Sequence, residues 1–551
     1  MLKHADQPQV WIRNDIRYII NQEYDLGLAY AAARIAWKGF NDPDFNVAAH
    51  RAQWLAKARQ IDEARENSIY MDQNGQGLIK SPYRIMPRRI WDLKSNRVVE
   101  FRMLHSDVLA REYLSSGVVI DLDHAEAPCP TFWAISHSWT DDMSPAKTSI
   151  NQNQWLAPLP EGIDLERDVR KEILNTGADY VWLDVLCLRQ HGHPKDDEWK
   201  LDVPTIGNIY HTAVGIARYF NGLGQAFSAN GWDDPRHWLR RAWTLQETKS
   251  ESTTYNAGIS QKTSGYAHNI MNTKSVVGGH VITLRQALHP IVKLAGQVDS
   301  PNGCSVYKLV KQMTNRYATQ PTDKVAGLFY LLRTAQLPTY GAGISDRDAW
   351  AQGFYVLPFE RKIEILFDFP YGGDDHPNHG RQWFPAWSQL MQWPDRDPAF
   401  SHKVAVWSPN QAHLLLGQAQ KPEHIVVSDI WAISDVRLCQ TNERHPYEID
   451  IIIGNKIFAF YYPYVPQKPI EVSTSGQYTL VTTYPDNSNN WVVCESLGKR
   501  HENYTTSEGI KTAEIESLRK LGVLRTDSCS EFVLGRGKMD STLKKINALF
   551  V

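Results

Sequence analysis

A chain of 551 residues exceeds what one hydrophobic core usually supports, and about two to four domains are expected. The formal net charge of -2 gives no global attraction for nucleic acid or an anionic membrane, and an aromatic fraction of 11% argues against long disorder. Six cysteines without a C-x-x-C pair form no disulfide or zinc framework; no signal-peptide pattern opens the chain and no run approaches about 18 apolar residues, so a soluble cytoplasmic protein with reduced thiols is expected.

The first elements are helical: apolar spacing predicts helices over Asp25–Phe40 and Asn46–Ser68. Pro87–Leu104 (PRRIWDLKSNRVVEFRML) then holds two apolar runs around a turn-forming Ser-Asn, a hairpin signal. From Thr131 the pattern alternates. Phe132–Trp139 reads as a strand, Asp164–Thr176 as an Asp-capped helix closed by Gly177, and Asp179–Leu188 as a second strand. Helical Val203–Thr212 precedes a third strand, Val214–Phe220. Three strand–helix alternations predict a parallel sheet covered by helices. Ligands in such sheets gather beyond the carboxyl ends of the strands, where Ser136, His137 and Trp139 end the first and Asp184, Arg189 and Gln190 follow the second. No G-x-G-x-x-G or G-x-x-x-x-G-K-[ST] follows a strand, which disfavours a dinucleotide Rossmann site and a P-loop.

Asp234-Pro235 predicts a helix start, with His237–Thr248 (HWLRRAWTLQET) continuing as one helix. Trp238, Ala242 and Leu245 would face a core, while Arg240, Trp243 and Glu247 would form a second stripe, a carboxylate beside an indole. Beyond about residue 260 the chain reads as mainly helical, with Pro321 opening an apolar helix and Trp383, Trp387 and Trp393 clustered near prolines. From about 402 onward short apolar runs recur between turn signals, predicting an all-β sandwich or barrel-like unit. The acidic and histidine groups at 191–198 and 374–379 lack a known ligand spacing, and no metal is expected.

The segments AISHSW, DYVWLDVLCLRQ, GNIYHTA, YFNGLG and RAWTLQE, spanning about residues 130 to 250, resemble the ordered motif series of the fungal heterokaryon-incompatibility (HET) domain. The flanks PRRIWDLKSNRVV, TDKVAGLFYLL and WFPAWSQ resemble HET-domain proteins too. Two positions depart from the usual motifs, Thr140 after Trp139 where glycine is common and Leu188 where isoleucine is usual. The resemblance implies an α/β fold like the Toll/interleukin receptor (TIR) domain, a parallel sheet flanked by helices. With the remaining patterns it divides the chain into an N-terminal helical and hairpin region (1–120), the HET domain (121–260), a mainly helical segment (261–400) and a β-rich C-terminal domain (401–551).

TIR relatives include NAD glycohydrolases whose catalytic glutamate lies in a motif like Trp-Cys-x-x-Glu. Trp243, Thr244 and Glu247 match that pattern with threonine in place of cysteine. What the resemblance implies is a cytoplasmic cell-death or defence protein that cleaves the nicotinamide–ribose bond of NAD, with Glu247 as the key carboxylate. Trp243 or Trp139 would stack on a base, Asp184 would orient a ribose hydroxyl, and Arg189, Arg240 or Arg241 would neutralise the pyrophosphate. A homo-oligomer or regulatory protein partner fits the same reading. Two alternatives stand beside it: a non-catalytic signalling or oligomerisation module, and a nucleotide-binding module without hydrolysis.

Overall fold

A computed structural model of the chain describes residues 25, 27, 30, 62–63, 65–72, 75–102, 104, 131–249, 253–258, 270–298, 304–341, 343–369, 384–391, 425–440, 448–453, 456–461, 477–482, 490–506, 509–525 and 544–550. Contacts divide the chain into two units, residues 1–303 with 315–345, and residues 304–314 with 346–551. Most of the predicted helices over Asp25–Phe40 and Asn46–Ser68, together with the 374–379 loop, Trp383 and Trp393, lie outside the described residues.

The first unit is organised by one sheet of six strands: β1 (Arg89–Asp92), β2 (Arg97–Glu100), β3 (Trp133–His137), β4 (Tyr180–Trp182), β5 (Gly215–Tyr219) and β6 (Thr254–Asn256). Their order is β6-β5-β3-β4-β1-β2. Strands β6, β5, β3 and β4 run parallel, whereas β1 joins β4 antiparallel and β2 returns on β1. The sheet is therefore mixed. Its antiparallel edge follows from the predicted hairpin, since so short a turn joins only antiparallel strands, and Asn96 takes the left-handed backbone it needs, at φ 56°.

The parallel strands are covered on both faces, and Ala134, Ile135, Val181, Trp182, Ile216 and Ala217 are all buried to 1% exposure or less. Between β3 and β4 the Asp164 carboxylate accepts from the Glu166 and Arg167 N–H groups, as the capping signal predicts, and Gly177 closes the segment at φ 83°. Helix Ile206–Thr212 lies between β4 and β5. A side chain at its Gly207 would run into the Tyr330 ring of helix Pro321–Leu331, so glycine permits that close approach. Among themselves the four parallel strands follow a second-first-third-fourth order, a doubly wound arrangement whose reversal falls between β3 and β5.

Two sequence expectations are corrected in this unit. Asp179–Leu188 is not one strand: β4 ends at Trp182, and Asp184–Cys187 is a single helical turn with the Asp184 carboxylate accepting from the Val185 N–H at 2.7 Å. That side-chain bond offers the backbone an alternative to the sheet ladder. Nor is His237–Thr248 one helix. It forms two tight turns, Trp238–Arg240 and Trp243–Leu245, parted by Arg241 in extended conformation. The cause is distant: the Ala242 N–H donates to the Tyr317 carbonyl at 2.9 Å and the Tyr317 N–H to the Arg240 carbonyl at 2.6 Å. The expected core positions Trp238, Ala242 and Leu245 are nevertheless buried to 1% or less.

The second unit contains helices Val306–Thr314, Asp346–Tyr355, Phe359–Asp368 and Trp387–Met391. Its strands Glu448–Ile453, Lys456–Tyr461, Gly509–Arg525, Asn490–Thr506, Tyr478–Thr482, Ile425–Gln440 and Lys544–Phe550 form one sheet in that order. Ile425–Gln440 also pairs with Glu448–Ile453, so the ladder returns on itself, the barrel-like alternative of the sequence reading. The apolar runs at 403–407, 413–417 and 530–535 lie outside the described residues. Buried Lys520 donates to the Leu366 and Phe369 carbonyls at 2.6 Å each and so caps helix Phe359–Asp368 within this unit. Among the described residues no helix is long and apolar enough to cross a membrane.

Candidate active site

The carboxyl end of β3 gathers a cluster of polar side chains. Ser136 is fully buried, and its hydroxyl accepts from the Trp238 indole N–H at 2.6 Å while donating to a Glu247 carboxyl oxygen at 2.6 Å. One strand end is thereby tied to both parts of the 237–248 segment. Next along β3, His137 is hydrogen-bonded through Nε2 to Asp184 Oδ1 at 2.7 Å, and the Trp139 indole N–H donates to Asp184 Oδ2 at 2.9 Å. The His137 and Trp139 rings lie 14° from parallel with centroids 6.4 Å apart. Behind them, the Arg218 guanidinium sits 4.7 Å over the Trp238 ring, a cation–π contact in a fully buried setting.

Two carboxyl groups meet here with opposite tendencies. Burial pushes Glu247 up to about 7, Asp184 adds to the rise, and Ser136, His137 and Arg316 offset only part of it. Burial also works against the Asp184 carboxylate, yet the His137 charge and the bonds from His137, Trp139 and the Val185 N–H outweigh it and hold it below its ordinary value. His137 is correspondingly raised: burial opposes the imidazolium, and Asp184 overcomes it. Asp184 and His137 thus each favour the other's charged form, while Glu247 holds its proton to near neutrality. Active sites that use acid–base chemistry drive pairs of titratable groups apart in this way, and structural ion-pair networks do so too. The two carboxyl groups also differ in access, with the Asp184 side chain 21% exposed and Glu247 buried at 7%.

Ser136, His137, Trp139, Asp184 and Glu247 therefore come together as one cluster. Gln190 stands behind it, donating from its amide to the Asp184 and Leu188 carbonyls at 3.2 and 3.1 Å and so holding the turn that aims Asp184. Trp243 is half-buried, and its indole bonds to the Asp323 carboxylate. Arg189 is drawn towards Glu198, 3.8 Å away, and stacks on Trp155. Arg240 pairs with Asp233 rather than Glu247. Arg241 donates to the Thr319 hydroxyl at 3.2 Å.

Sequence reasoning missed Arg316, which is buried to 3% and donates to the Arg241 carbonyl at 2.6 Å and the Thr244 hydroxyl at 2.8 Å. Burial lowers it to about 9, and Glu247 is the charge that pulls it back up. No local pattern announces a residue 72 positions from the threonine it holds. The second missed group is the Tyr210 hydroxyl, which donates to the Ile135 carbonyl at 2.8 Å and neighbours Glu247; its helix spacing marks only a core position.

Residues 132–225 match the family model of the heterokaryon incompatibility protein (HET). The match takes in β3, β4 and β5, and with them Ser136, His137, Trp139 and Asp184; it ends before Glu247. No curated protein and no solved structure matches the chain. Among the described residues no group of three or more His, Cys, Asp or Glu is arranged to hold a metal.

Proposed function

We propose that this chain acts in fungal heterokaryon incompatibility or defence as a TIR-like NAD glycohydrolase, with Glu247 as its catalytic carboxyl. The observation carrying this reading is the hydrogen bond from Ser136 to Glu247, which holds a buried carboxyl beside the Asp184–His137 pair at the switch point of the sheet. Cleaving the nicotinamide–ribose bond expels a cationic ring as a neutral amide, so the leaving group needs no acid. Positive charge develops on the ribose instead. Glu247, in its ionised form, stabilises that charge or holds the ribose hydroxyls, and the low-dielectric surroundings strengthen its effect. Asp184, the more exposed carboxylate, orients a ribose hydroxyl, with Trp139 as the adjacent stacking face. NAD is the substrate in this scheme, no metal takes part, and the site of action is the cytoplasm.

The test is NAD consumption with nicotinamide release by the purified chain, beside Glu247→Ala and Glu247→Gln at matched folding. Turnover by the wild type alone supports the carboxyl mechanism. A second reading is favoured by one observation, the 7% exposure of Glu247: a non-catalytic signalling module that self-associates or binds a regulatory partner, with this carboxyl as a buried structural group. An inert wild type that assembles in light scattering supports that reading instead.

A further inference from the structure

Arg241 and Arg236 converge on one oxygen. Arg236 Nη1 and Arg241 Nη2 both donate to Thr319 Oγ1, each at 3.2 Å. With two N–H groups received, the Thr319 hydroxyl keeps its own proton as a donor. The residues differ in access: Arg241 is buried at 8%, Arg236 is half-buried and Thr319 is exposed, so the meeting point opens to solvent.

Placing two guanidinium groups on one neutral hydroxyl is costly, because like charges this close repel in a partly desolvated setting. Burial, then the charge of Arg236, holds Arg241 below its ordinary value. Asp323, Glu247 and Asp141 offset part of that repulsion. Asp141 pairs with Arg236 at 2.6 Å but is 75% exposed, a surface contact of little weight. Asp323 attracts Arg241, yet it also accepts from the Tyr340 hydroxyl at 2.8 Å and from the Trp243 indole. Among the described residues the other side-chain N–H groups of Arg241 have no hydrogen-bond acceptor.

The nook is held on both sides. The backbone bonds between Arg240–Ala242 and Tyr317 stitch the two segments together, and Arg316 ties the same segment to the Arg241 carbonyl and Thr244. A fixed, open meeting of two forks and a hydroxyl donor suits the oxygens of a phosphate group.

We infer that Arg236, Arg241 and Thr319 form a phosphate subsite that receives the pyrophosphate of a nucleotide substrate of the Glu247 site. The assignment rests on the hydrolase reading for the identity of the substrate but not for the binding of phosphate. It replaces Arg189 and Arg240, which face Glu198 and Asp233.

Calorimetric titration of the full chain with inorganic pyrophosphate, ADP, ADP-ribose and nicotinamide riboside tests it, using wild type, Arg241→Gln, Arg236→Gln and Thr319→Val. Near-ultraviolet circular dichroism checks that each variant is folded. Arg241→Gln should weaken all three phosphate-bearing probes about tenfold and Arg236→Gln about threefold, with added salt weakening the wild type in parallel. Nicotinamide riboside, which carries no phosphate, should be insensitive to the arginine changes. Thr319→Val keeps both guanidinium groups and guards against misfolding at the more buried Arg241; it should weaken pyrophosphate as well.

Wild type that ignores pyrophosphate and ADP at low salt overturns the subsite, as do folded variants that bind them like wild type. If ADP binds through the arginines while NAD is not consumed, the phosphate subsite stands and the hydrolase reading falls. If NAD is consumed with KM unchanged in both arginine variants, the hydrolase reading stands and the subsite falls. Tight binding of pyrophosphate but not of ADP or ADP-ribose makes this a site for free phosphate and overturns the nucleotide assignment.

Discussion

Glu198 and Glu247 are equally buried, each 7% exposed, yet their surroundings drive them in opposite directions. Glu198 sits on helix Lys195–Asp202, where Arg89 of the edge hairpin meets it with two bonds at 2.9 and 2.5 Å and Arg88 and Arg189 stand within 4 Å. Burial raises its carboxyl, but the arginines overcome that and hold it below its ordinary value. Glu247 has a neutral hydroxyl as its donor and another carboxylate nearby, and burial prevails. Desolvation alone does not decide whether a buried carboxyl keeps its proton. The charge placed against it does.

The largest expected effect separates the two glutamates by stability. Glu198→Ala leaves Arg88, Arg89 and Arg189 facing one another without their shared anion, and should cost about 4 kcal/mol in urea denaturation. Glu247→Gln keeps an acceptor for Ser136 and removes only a carboxyl that is costly to ionise, so no comparable loss is expected. Equal losses would erase the contrast.

The pH dependence sharpens it further. Glu247 titrates at about 7 in the folded chain against 4.5 for the free group, so between those values the folded state holds a proton that the unfolded state has released. Stability contributed by the protonated form is therefore present at low pH and falls as pH rises through that window, by about 3 kcal/mol in all. Glu247→Gln should match wild type near pH 4 and exceed it near pH 8 by about that amount. Glu198 carries the opposite sign: its depressed folded value gives stability above the free-carboxyl range that is lost on acidification. Denaturation series at several pH values measure both slopes, and a flat difference between wild type and Glu247→Gln would remove the case for a poised carboxyl.

Sequence legibility divides along a similar line. Features set by neighbouring residues were readable: the Ser-Asn hairpin, the Asp164 cap, the Pro321 helix start and the buried Trp238, Ala242 and Leu245. Features set by remote partners were not. The split of 237–248 into two turns depends on Tyr317, and Arg189 and Arg240 find acids that spacing does not single out. At the site, the carboxyl end of β3 was legible from the strand pattern, whereas the Asp184 turn was read as part of a strand because its residues are as apolar as those of β4. The Ser136 bridge between Trp238 and Glu247 was not legible, because it is made across more than a hundred residues of chain.

Ser136→Ala tests that bridge and ranks next. It strands a buried indole N–H and removes the donor to Glu247 together, at an expected cost of about 2 kcal/mol. The Ser136 bond is the chief force lowering the Glu247 carboxyl, so its loss should move that titration further upward. Carbon-13 detection of the Glu247 carboxyl across a pH series reads the shift directly, and an unmoved titration would mean that the hydroxyl does not control the acid.

The smallest effect concerns the other carboxylate. Trp139→Phe deletes the indole bond to Asp184 Oδ2 but leaves His137 and the Val185 N–H in place on Oδ1. The ionised form of Asp184 loses one of several supports, so its carboxyl should move up towards its ordinary value while remaining below it. Asp184 contributes stability above the free-carboxyl range, and the loss at pH 7 should be about 1 kcal/mol, partly screened because this side chain reaches solvent. His137 should stay raised, since its own bond to Asp184 is untouched. Proton NMR of the imidazole separates the cases: a His137 titration that collapses with Trp139→Phe would show the indole to be the organising contact, and the pair would then resemble Glu247, dependent on one neutral donor, rather than a carboxylate fixed by charge.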